Sequence, residues 1–277
     1  MEFHRRFTVD SGLNGEHVLI TGASGGIGQA IAKLFDDEGC CLSLHYNKNK
    51  KQILKFSEEL NGDYCLLQAE LSSEEQTKEL FQDSIATYGR IDRLVVNHGI
   101  WPNRSIPAHE MTLDQWDKTI AVNLRAAFIC SRQFLKNLLT FPKESASIVY
   151  IGSTAGVFGE AGHVDYSVSK AGLQGLMLSL KNEISHIASR GRVNIVAPGW
   201  TITPMTEKFL EDHEGVRTAL QTMPLRKIAR PSDIAHAVVF LSSDNLAGHI
   251  SGQIITVAGG MEGRRLYKPD EIDIGQI

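Results

Sequence analysis

The chain has 277 residues, of which 42% are hydrophobic and 22% are charged, values that are ordinary for a globular protein. A chain of this size can bury a full apolar core without disulfides or metals to hold it together. Its formal net charge of −4 argues against a surface for nucleic acid or an anionic membrane. No apolar run approaches the roughly 18 residues of a membrane span, and the first residues, MEFHRRFTVD, lack the apolar stretch of a secretory signal. We therefore expect a cytoplasmic protein with no nucleic-acid or membrane partner.

The cysteine pattern gives no sign of a metal site. The four cysteines, Cys40, Cys41, Cys65 and Cys130, show neither CxxC spacing nor neighbouring histidines. We expect them to be small buried side chains of a protein from a reducing compartment.

Short apolar runs alternate with longer amphipathic stretches along the chain. Seven runs are predicted strands: HVLIT (17–21), CCLSLHY, YCLLQAE, RLVVNHG, SIVYIGS, RVNIVAP and GQIITVAGG. Helical periodicity occurs over 27–39 and near 48–61, 73–88, 112–139, 164–189 and 231–242. Continuous apolar strands separated by such helices are typical of a parallel sheet that is covered on both faces. We predict an α/β fold: a single Rossmann-type doubly wound domain of about seven parallel strands spanning 1–277, with its core in 15–261.

The first predicted strand leads directly into the glycine-rich segment TGASGGIG, and Ile27 then begins the first predicted helix. A dinucleotide pyrophosphate needs a tight turn, a close backbone approach and a helix N-terminus. Glycines can serve a purely structural turn, but their position in the first strand–helix unit favours a cofactor loop. The expected contacts are Gly22, Ser24, Gly25, Gly26, Ile27 and Gly28.

Tyr166 and Lys170 lie four residues apart in DYSVSK, which places them on one face of a predicted helix. Alone, such a pair is an ordinary solvated contact. A carbonyl that accepts a hydride becomes an alkoxide, which must be held and protonated. The pKa of free tyrosine is about 10, and a neighbouring ammonium lowers it by stabilising tyrosinate. The pair is therefore either a surface contact or a proton donor with the partner that tunes its pKa.

Seven motifs decide between these alternatives, because together they resemble the short-chain dehydrogenase/reductase family. They are TGASGGIG, NHG (97–99), VNL with Asn123, GSTAG with Ser153, YSVSK, APGWTITPM (197–205) and VAGGM (257–261). Their order and spacing agree with the family from residue 15 to about residue 261. The pattern is most similar to the 3-oxoacyl-thioester reductase branch.

The resemblance implies a catalytic tetrad. Tyr166 is expected to be the general acid in reduction and the base in oxidation. Lys170 is expected to bind the nicotinamide ribose hydroxyls and to lower the pKa of Tyr166. Ser153 would hydrogen-bond the substrate oxygen, and Asn123 would hold a water that leads protons towards Lys170. Each residue alone has a structural explanation, but four in family order behind a nucleotide loop favour catalysis.

The end of the second predicted strand bears on the choice of cofactor. Tyr46 stands where NAD-dependent relatives carry Asp, and Asn47 and Lys48 follow it. No carboxylate occurs in residues 40–57, and cations there favour the 2′-phosphate of NADP. Gly25 weakens this preference, because NADP-dependent relatives often carry Arg or Lys in the glycine loop. We favour NADP(H) over NAD(H), with a solvated basic helix start as the alternative.

The remaining cofactor contacts are expected from the resemblance alone. Glu70 and Leu71 take the place of the acidic–apolar pair that holds adenine in the family. The others lie in the NHG and APGWTITPM motifs: Asn97, Gly99, Pro198, Gly199, Thr201 and Thr203. His98 and His163 lie inside or beside these motifs without an assigned role.

Three further expectations concern the surface. Residues 204–224 are helical in pattern and stand where the family carries a mobile substrate lid. Residues 262–277 form a tail with no clear pattern. The helices near 112–139 and 164–189 correspond to a pair that packs against another subunit in the family, so a homodimer or homotetramer is expected.

The leading hypothesis is an NADP(H)-dependent oxidoreductase that interconverts a small-molecule carbonyl and a secondary alcohol, with a 3-oxoacyl thioester as a candidate substrate. An NAD-dependent dehydrogenase of a sugar, polyol, steroid or other small alcohol is the alternative. A non-enzymatic NADP-binding regulator would be expected to lack the Tyr or the Lys. An epimerase or dehydratase of the extended family would be expected to carry a longer C-terminal substrate domain after the shared motifs.

Overall fold

Seven parallel strands form one sheet in the order β3-β2-β1-β4-β5-β6-β7. The computed structural model describes residues 10–261 and 267–274. The strands are β1 (His17–Thr21), β2 (Cys41–Tyr46), β3 (Tyr64–Gln68), β4 (Arg93–Val96), β5 (Ser145–Ile151), β6 (Arg190–Pro198) and β7 (Ile254–Val257). From β1 the chain adds β2 and β3 on one side of the sheet. It then returns and adds β4 to β7 on the other side. This topology confirms the predicted doubly wound α/β fold.

Helices connect the strands and cover both faces of the sheet. They are α1 (Gly26–Asp37), α2 (Lys50–Ser57), α3 (Glu74–Tyr88), α4 (Leu113–Ile120), a π-helical turn (Ala121–Arg125), α5 (Ala126–Thr140), α6 (Thr154–Phe158), α7 (Val164–Ile184), α8 (Glu207–Glu211), α9 (His213–Leu220), α10 (Pro231–Ser242), α11 (Asp244–Ala247) and a 3-10 turn (Pro269–Glu271). No helix within the described residues is long and apolar enough to cross a bilayer.

The sheet separates two apolar cores. Along β1, Val18 and Ile20 belong to one core and Leu19 to the other, because successive side chains of a strand point to opposite faces. The first core includes side chains from α1, α2 and α10, and the second includes side chains from α3, α5 and α7. All five residues of β1 are buried, as a strand covered on both faces requires.

The stretch predicted as one helix over 112–139 is divided by the π-helical turn around Asn123. The side chain of Asn123 accepts a hydrogen bond from the Ile100 N–H (2.8 Å) and donates one to the Ile100 carbonyl (3.0 Å). Apolar periodicity cannot show a local change of helical pitch, so the sequence predicted one continuous helix. The stretch predicted over 164–189 ends as a helix at Ile184.

We predict that Phe35→Ala lowers the free energy of unfolding by about 3–5 kcal/mol, because Phe35 is fully buried in the first core and alanine would leave a cavity. Urea unfolding followed by circular dichroism measures this. Leu54→Ala, at a side chain that is 46% exposed, is the control and should change stability by less than about 0.5 kcal/mol. Equal effects of the two substitutions would contradict the assignment of this core.

Candidate active site

A cleft of about 660 Å³ runs along the carboxyl ends of the strands, where the chain reverses direction across the sheet between β1 and β4. Nineteen residues predicted for catalysis or cofactor binding line it: Gly22, Ser24, Gly25, Gly26, Ile27, Gly28, Asn47, Lys48, Glu70, Leu71, Asn97, Gly99, Ser153, Tyr166, Lys170, Pro198, Gly199, Thr201 and Thr203. The fold thus brings segments from seven parts of the chain to one surface. Tyr46 and Asn123, also predicted, do not line the cleft.

The glycine loop is too tightly packed for larger residues. Gly22 has φ +65°, and a Cβ there would lie 2.8 Å from the Cα of His98. A Cβ on Gly28 would lie 2.4 Å from the Gly22 carbonyl oxygen. Gly25 precedes α1 without a side-chain cap, so the first backbone N–H groups of the helix are left to a ligand in the cleft. This cradle fits a dinucleotide pyrophosphate.

His45 holds the glycine loop from the neighbouring strand, a role that sequence reasoning missed. The Gly22 N–H donates to its Nδ1 (2.9 Å), and its Nε2 donates to the Ala69 carbonyl (3.0 Å). Burial lowers the pKa of His45 to about 4, so the ring is neutral and can accept at Nδ1. The alternation of β2 places Tyr46 on the other face, where it is 6% exposed in the first core. The strand position predicted to meet the adenosine ribose is therefore not on the cleft side.

The end of the cleft predicted to meet adenosine carries a carboxylate held by hydrogen bonds. Glu70 accepts hydrogen bonds from the Asn47 amide (2.8 Å) and the Ser72 hydroxyl (3.0 Å). Partial burial acts to raise the pKa of Glu70, but these hydrogen bonds and the charge of Lys48 outweigh it, and the pKa lies below its usual value. Among the described cleft-lining residues Glu70 is the one acid, and both of its oxygens already have partners within the chain.

The loop after β4 is tied to the end of β1. The Asn97 amide donates to the carbonyls of Thr21 (3.2 Å) and Gly22 (2.9 Å). His98 is buried, and its Nδ1 lies 2.8 Å from the Thr21 hydroxyl oxygen. Burial, followed by the charges of its neighbours, lowers the pKa of His98 to about 3. A neutral ring that bonds Thr21 gives His98 the role of closing the loop.

Ser153, Tyr166 and Lys170 converge at the opposite end of the cleft. Ser153 is the N-cap of α6, where it accepts a hydrogen bond from the Ala155 N–H (3.1 Å), and its hydroxyl lies close enough to Tyr166 to affect the pKa of that residue. The Lys170 ammonium donates to the Ile151 carbonyl (2.8 Å) and lies 5.8 Å from the centre of the Tyr166 ring. This arrangement places two hydroxyl donors side by side with a cation one helical turn away.

Asn123 supports this group from behind. Its amide nitrogen donates to Ile100 and to the Ser169 hydroxyl (3.1 Å), so both of its hydrogens are used within the protein. A Cβ on Gly99 would lie 3.3 Å from both the Asn123 side-chain oxygen and the Lys170 ammonium nitrogen. The loop after β4 therefore passes directly over these two side chains, and the π-helical turn holds Asn123 against it.

A family model described as enoyl-(acyl carrier protein) reductase matches residues 22–262 of the chain. The 3-oxoacyl-(acyl-carrier-protein) reductases FabG of Thermotoga maritima and Rickettsia conorii are 35% and 37% identical to it, over 90% of this chain and 98% of theirs. The chain belongs to the short-chain dehydrogenase/reductase family. It is an oxidoreductase that acts on CH–OH groups with NAD(P).

Two solved structures agree with this assignment. A putative gluconate dehydrogenase from Agrobacterium tumefaciens superposes with a TM-score of 0.85 at 26% identity, covering 92% of this chain and 98% of the other. Levodione reductase gives a TM-score of 0.83 at 26% identity, covering 89% of this chain and 97% of the other.

Within residues 10–261 and 267–274, no group of three His, Cys, Asp or Glu side chains is placed to hold a metal ion.

The protonation states of this dehydrogenase/reductase site follow from burial. Burial raises the pKa of Tyr166 to about 12, although the nearby Ser153 hydroxyl opposes the rise. Burial lowers the pKa of Lys170 to about 8. We expected Lys170 to lower the pKa of Tyr166. In the protein without cofactor, desolvation has the larger effect, and the pKa is raised. At neutral pH Tyr166 keeps its proton and Lys170 is largely charged.

Trp101 forms a wall beside the proton donor that the motifs did not assign. Its ring stacks on His163 (4.0 Å between centroids) and meets Tyr166 edge-on (4.6 Å). Trp101 lines the cleft, and His163 is 7% exposed behind it. Burial lowers the pKa of His163, so the stack is between two neutral rings. Trp200, the other tryptophan near a motif, packs away from the cleft against α9 and the C-terminal segment.

We predict that Tyr166→Phe lowers kcat by about 10²–10⁴-fold, the range for loss of a positioned proton donor. Phenylalanine keeps the ring packed against Trp101, so cofactor affinity measured by fluorescence titration should stay within about twofold of wild type. Steady-state assays of both proteins measure the change. Turnover near the wild-type rate would remove Tyr166 from the chemistry.

We predict that kcat/KM for carbonyl reduction is constant up to about pH 7 and falls at higher pH through an apparent pKa near 8. The sign follows from Lys170: its ammonium stabilises the developing tyrosinate below this pKa, and the neutral amine above it does not. Initial rates between about pH 6 and pH 10 measure the profile. A rate that rises over this range would indicate that the deprotonated lysine is the active form.

Proposed function

We propose that this chain reduces a 3-oxoacyl thioester to the 3-hydroxyacyl thioester with NADPH. The observation that carries the proposal is that the Ser153 and Tyr166 hydroxyls lie close together at one end of the cleft, where the Ser153 hydroxyl affects the pKa of Tyr166. Two donors side by side suit one carbonyl oxygen, which accepts a hydrogen bond from each. Both of the 35–37% identical relatives are named 3-oxoacyl-(acyl-carrier-protein) reductase, which supports the same substrate class.

The residues divide the reaction between them. When bound, the reduced nicotinamide supplies a hydride to the carbonyl carbon. Ser153 orients the carbonyl oxygen, and Tyr166 gives that oxygen its proton as the negative charge develops. The Lys170 ammonium stabilises the tyrosinate left behind, which then regains a proton from solvent. Because its high pKa holds the proton at neutral pH, Tyr166 is prepared for the reductive direction.

The charge of the cleft supports NADPH over NADH. Lys48 lies at the adenosine end of the cleft and is exposed, as a contact for a 2′-phosphate requires. Apart from Glu70, which is expected at the adenine and is already bonded to Asn47 and Ser72, no acid among the described cleft-lining residues could accept the ribose hydroxyls of NAD. The glycine loop has no cation of its own, so Lys48 would carry most of the discrimination.

Apolar side chains on the surface support a homodimer or homotetramer. Phe128 and Leu139 on α5 are 44% and 64% exposed, and Val168 and Leu178 on α7 are 41% and 42% exposed. Burying such a surface against a second copy removes it from water. Light scattering coupled to gel filtration measures the state, and a monomer at micromolar concentration would contradict it.

A second candidate is the interconversion of a sugar acid or a cyclic ketone with its reduced or oxidised partner. The names of the two solved structures, gluconate dehydrogenase and levodione reductase, favour it. A panel that contains acetoacetyl thioester, gluconate and cyclic diketones separates the candidates. Turnover of gluconate or a cyclic diketone with none of the thioester would replace the thioester proposal.

The test of cofactor choice follows the loss of absorbance at 340 nm with acetoacetyl thioester and either NADPH or NADH. We predict oxidation of NADPH with little oxidation of NADH. Lys48→Ala should raise the KM for NADPH roughly fivefold, the upper range for one exposed ion pair, and leave the KM for NADH unchanged. Lys51→Ala, at an exposed lysine outside the cleft lining, is the matched control. A preference for NADH in the wild type would overturn the assignment of Lys48.

A further inference from the structure

One segment beside the cleft leaves the body of the protein and returns to it, and backbone hydrogen bonds join its two ends. Ile202 donates a backbone hydrogen bond to the Ala229 carbonyl (2.9 Å), and Ala229 donates to the Trp200 carbonyl (3.0 Å). Residues 203–228, which we call the flap, thus leave the body of the protein and return at the same point. The flap begins with a turn at 203–206 whose residues line the cleft, and it continues through α8 and α9.

The flap has a small apolar core of its own, separate from the two cores that cover the sheet. Val216 and Leu220 of α9 are buried there, at 1% and 0% exposure. Residues 267–274, which we call the strap, supply part of this core. Ile272 is 6% exposed within it, and Tyr267 packs against it.

Polar contacts hold the strap in the same place. The Gln221 amide donates to the Tyr267 carbonyl (2.8 Å), and the Tyr267 hydroxyl donates to the Pro224 carbonyl (3.1 Å). The Arg226 guanidinium lies 4.9 Å from the centre of the Tyr267 ring. Arg226 has φ +45°, the one positive φ outside glycine in the described residues, so the flap adopts a strained turn where it meets this ring.

The strap lies beyond residues 22–262, the part of the chain that the family model matches. We propose that the strap holds the flap against the cleft, with Tyr267 and Ile272 as positioning residues for cofactor and substrate binding. Without them, Val216 and Leu220 would lose apolar partners, which favours opening of α9. The flap turn at 203–206 would then spend less time against the cleft and the glycine loop, so cofactor and substrate would bind more weakly.

Amide hydrogen exchange tests the contact between strap and flap in the full chain. We expect Tyr267→Ala and Ile272→Ala to speed exchange in residues 203–225 at least about tenfold, a change that corresponds to about 1.4 kcal/mol of opening free energy, and to leave exchange in β1 and β4 unchanged. Asp270→Ala, at an exposed strap position, should match wild type. Ile53→Ala, which removes the same side chain from the first core, should not speed exchange in the flap selectively. Unchanged flap exchange in both strap variants, or a uniform increase along the chain, would overturn the proposal.

The kinetic consequence rests on the proposed function. In the 340 nm assay both strap variants should raise the KM for NADPH and the KM for the thioester roughly tenfold, because the flap turn borders the glycine loop, while kcat stays within about twofold of wild type. A fall in kcat without a change in KM would also overturn the positioning role. If the wild type does not reduce the thioester, the substrate assignment fails, and the exchange measurement still decides whether the strap restrains the flap.

Discussion

The site depends on the close approach of the chain segments that follow β1 and β4. Gly22 has no side chain, so the backbone of His98 can pass within a distance that any Cβ would forbid. Asn97 then bonds the carbonyls of Thr21 and Gly22, and His98 bonds the Thr21 hydroxyl. This contact fixes the glycine loop, the proposed pyrophosphate site, against the loop that passes over Asn123 and Lys170. A displacement of either loop would separate the two halves of the cleft.

Burial determines the chemistry at the catalytic end. Lys170 is buried and Tyr166 is partly buried, and desolvation favours the neutral form of each. For Tyr166 the neutral form is the one that can donate a proton, so the protein alone keeps the acid loaded. For Lys170 the same effect brings the pKa close to neutral pH, where a small change in surroundings alters its charge. At neutral pH Tyr166 is therefore protonated, and the charge of Lys170 is sensitive to changes in its surroundings.

Much of the fold and of the site could be predicted from the sequence, because the strands, helices and motifs are recognisable as local patterns of residues. Seven apolar runs gave the strands, and motif order placed Ser153, Tyr166 and Lys170 together. The exceptions depend on three-dimensional contacts. His45 faces the cleft instead of Tyr46 because successive side chains of β2 point to opposite faces of the sheet. The π-helical turn at Asn123 is associated with a hydrogen bond to Ile100, a residue 23 positions earlier in the chain. The described part of the predicted tail, 267–274, packs on the flap through Tyr267, Ile272 and Ile274, whose spacing matches neither a helix nor a strand. Residues 262–266 and 275–277 of that tail lie outside the described residues.

The most direct test of this account is the ionisation of Tyr166 in the protein without cofactor. Tyrosinate absorbs near 295 nm, and the difference between titrations of wild type and Tyr166→Phe isolates the contribution of this residue. We predict no ionisation of Tyr166 up to about pH 10, because burial raises its pKa to about 12. A pKa below that of free tyrosine, about 10, would show that Lys170 outweighs desolvation even in the free protein, and would contradict the account of Tyr166 as an acid kept loaded by burial.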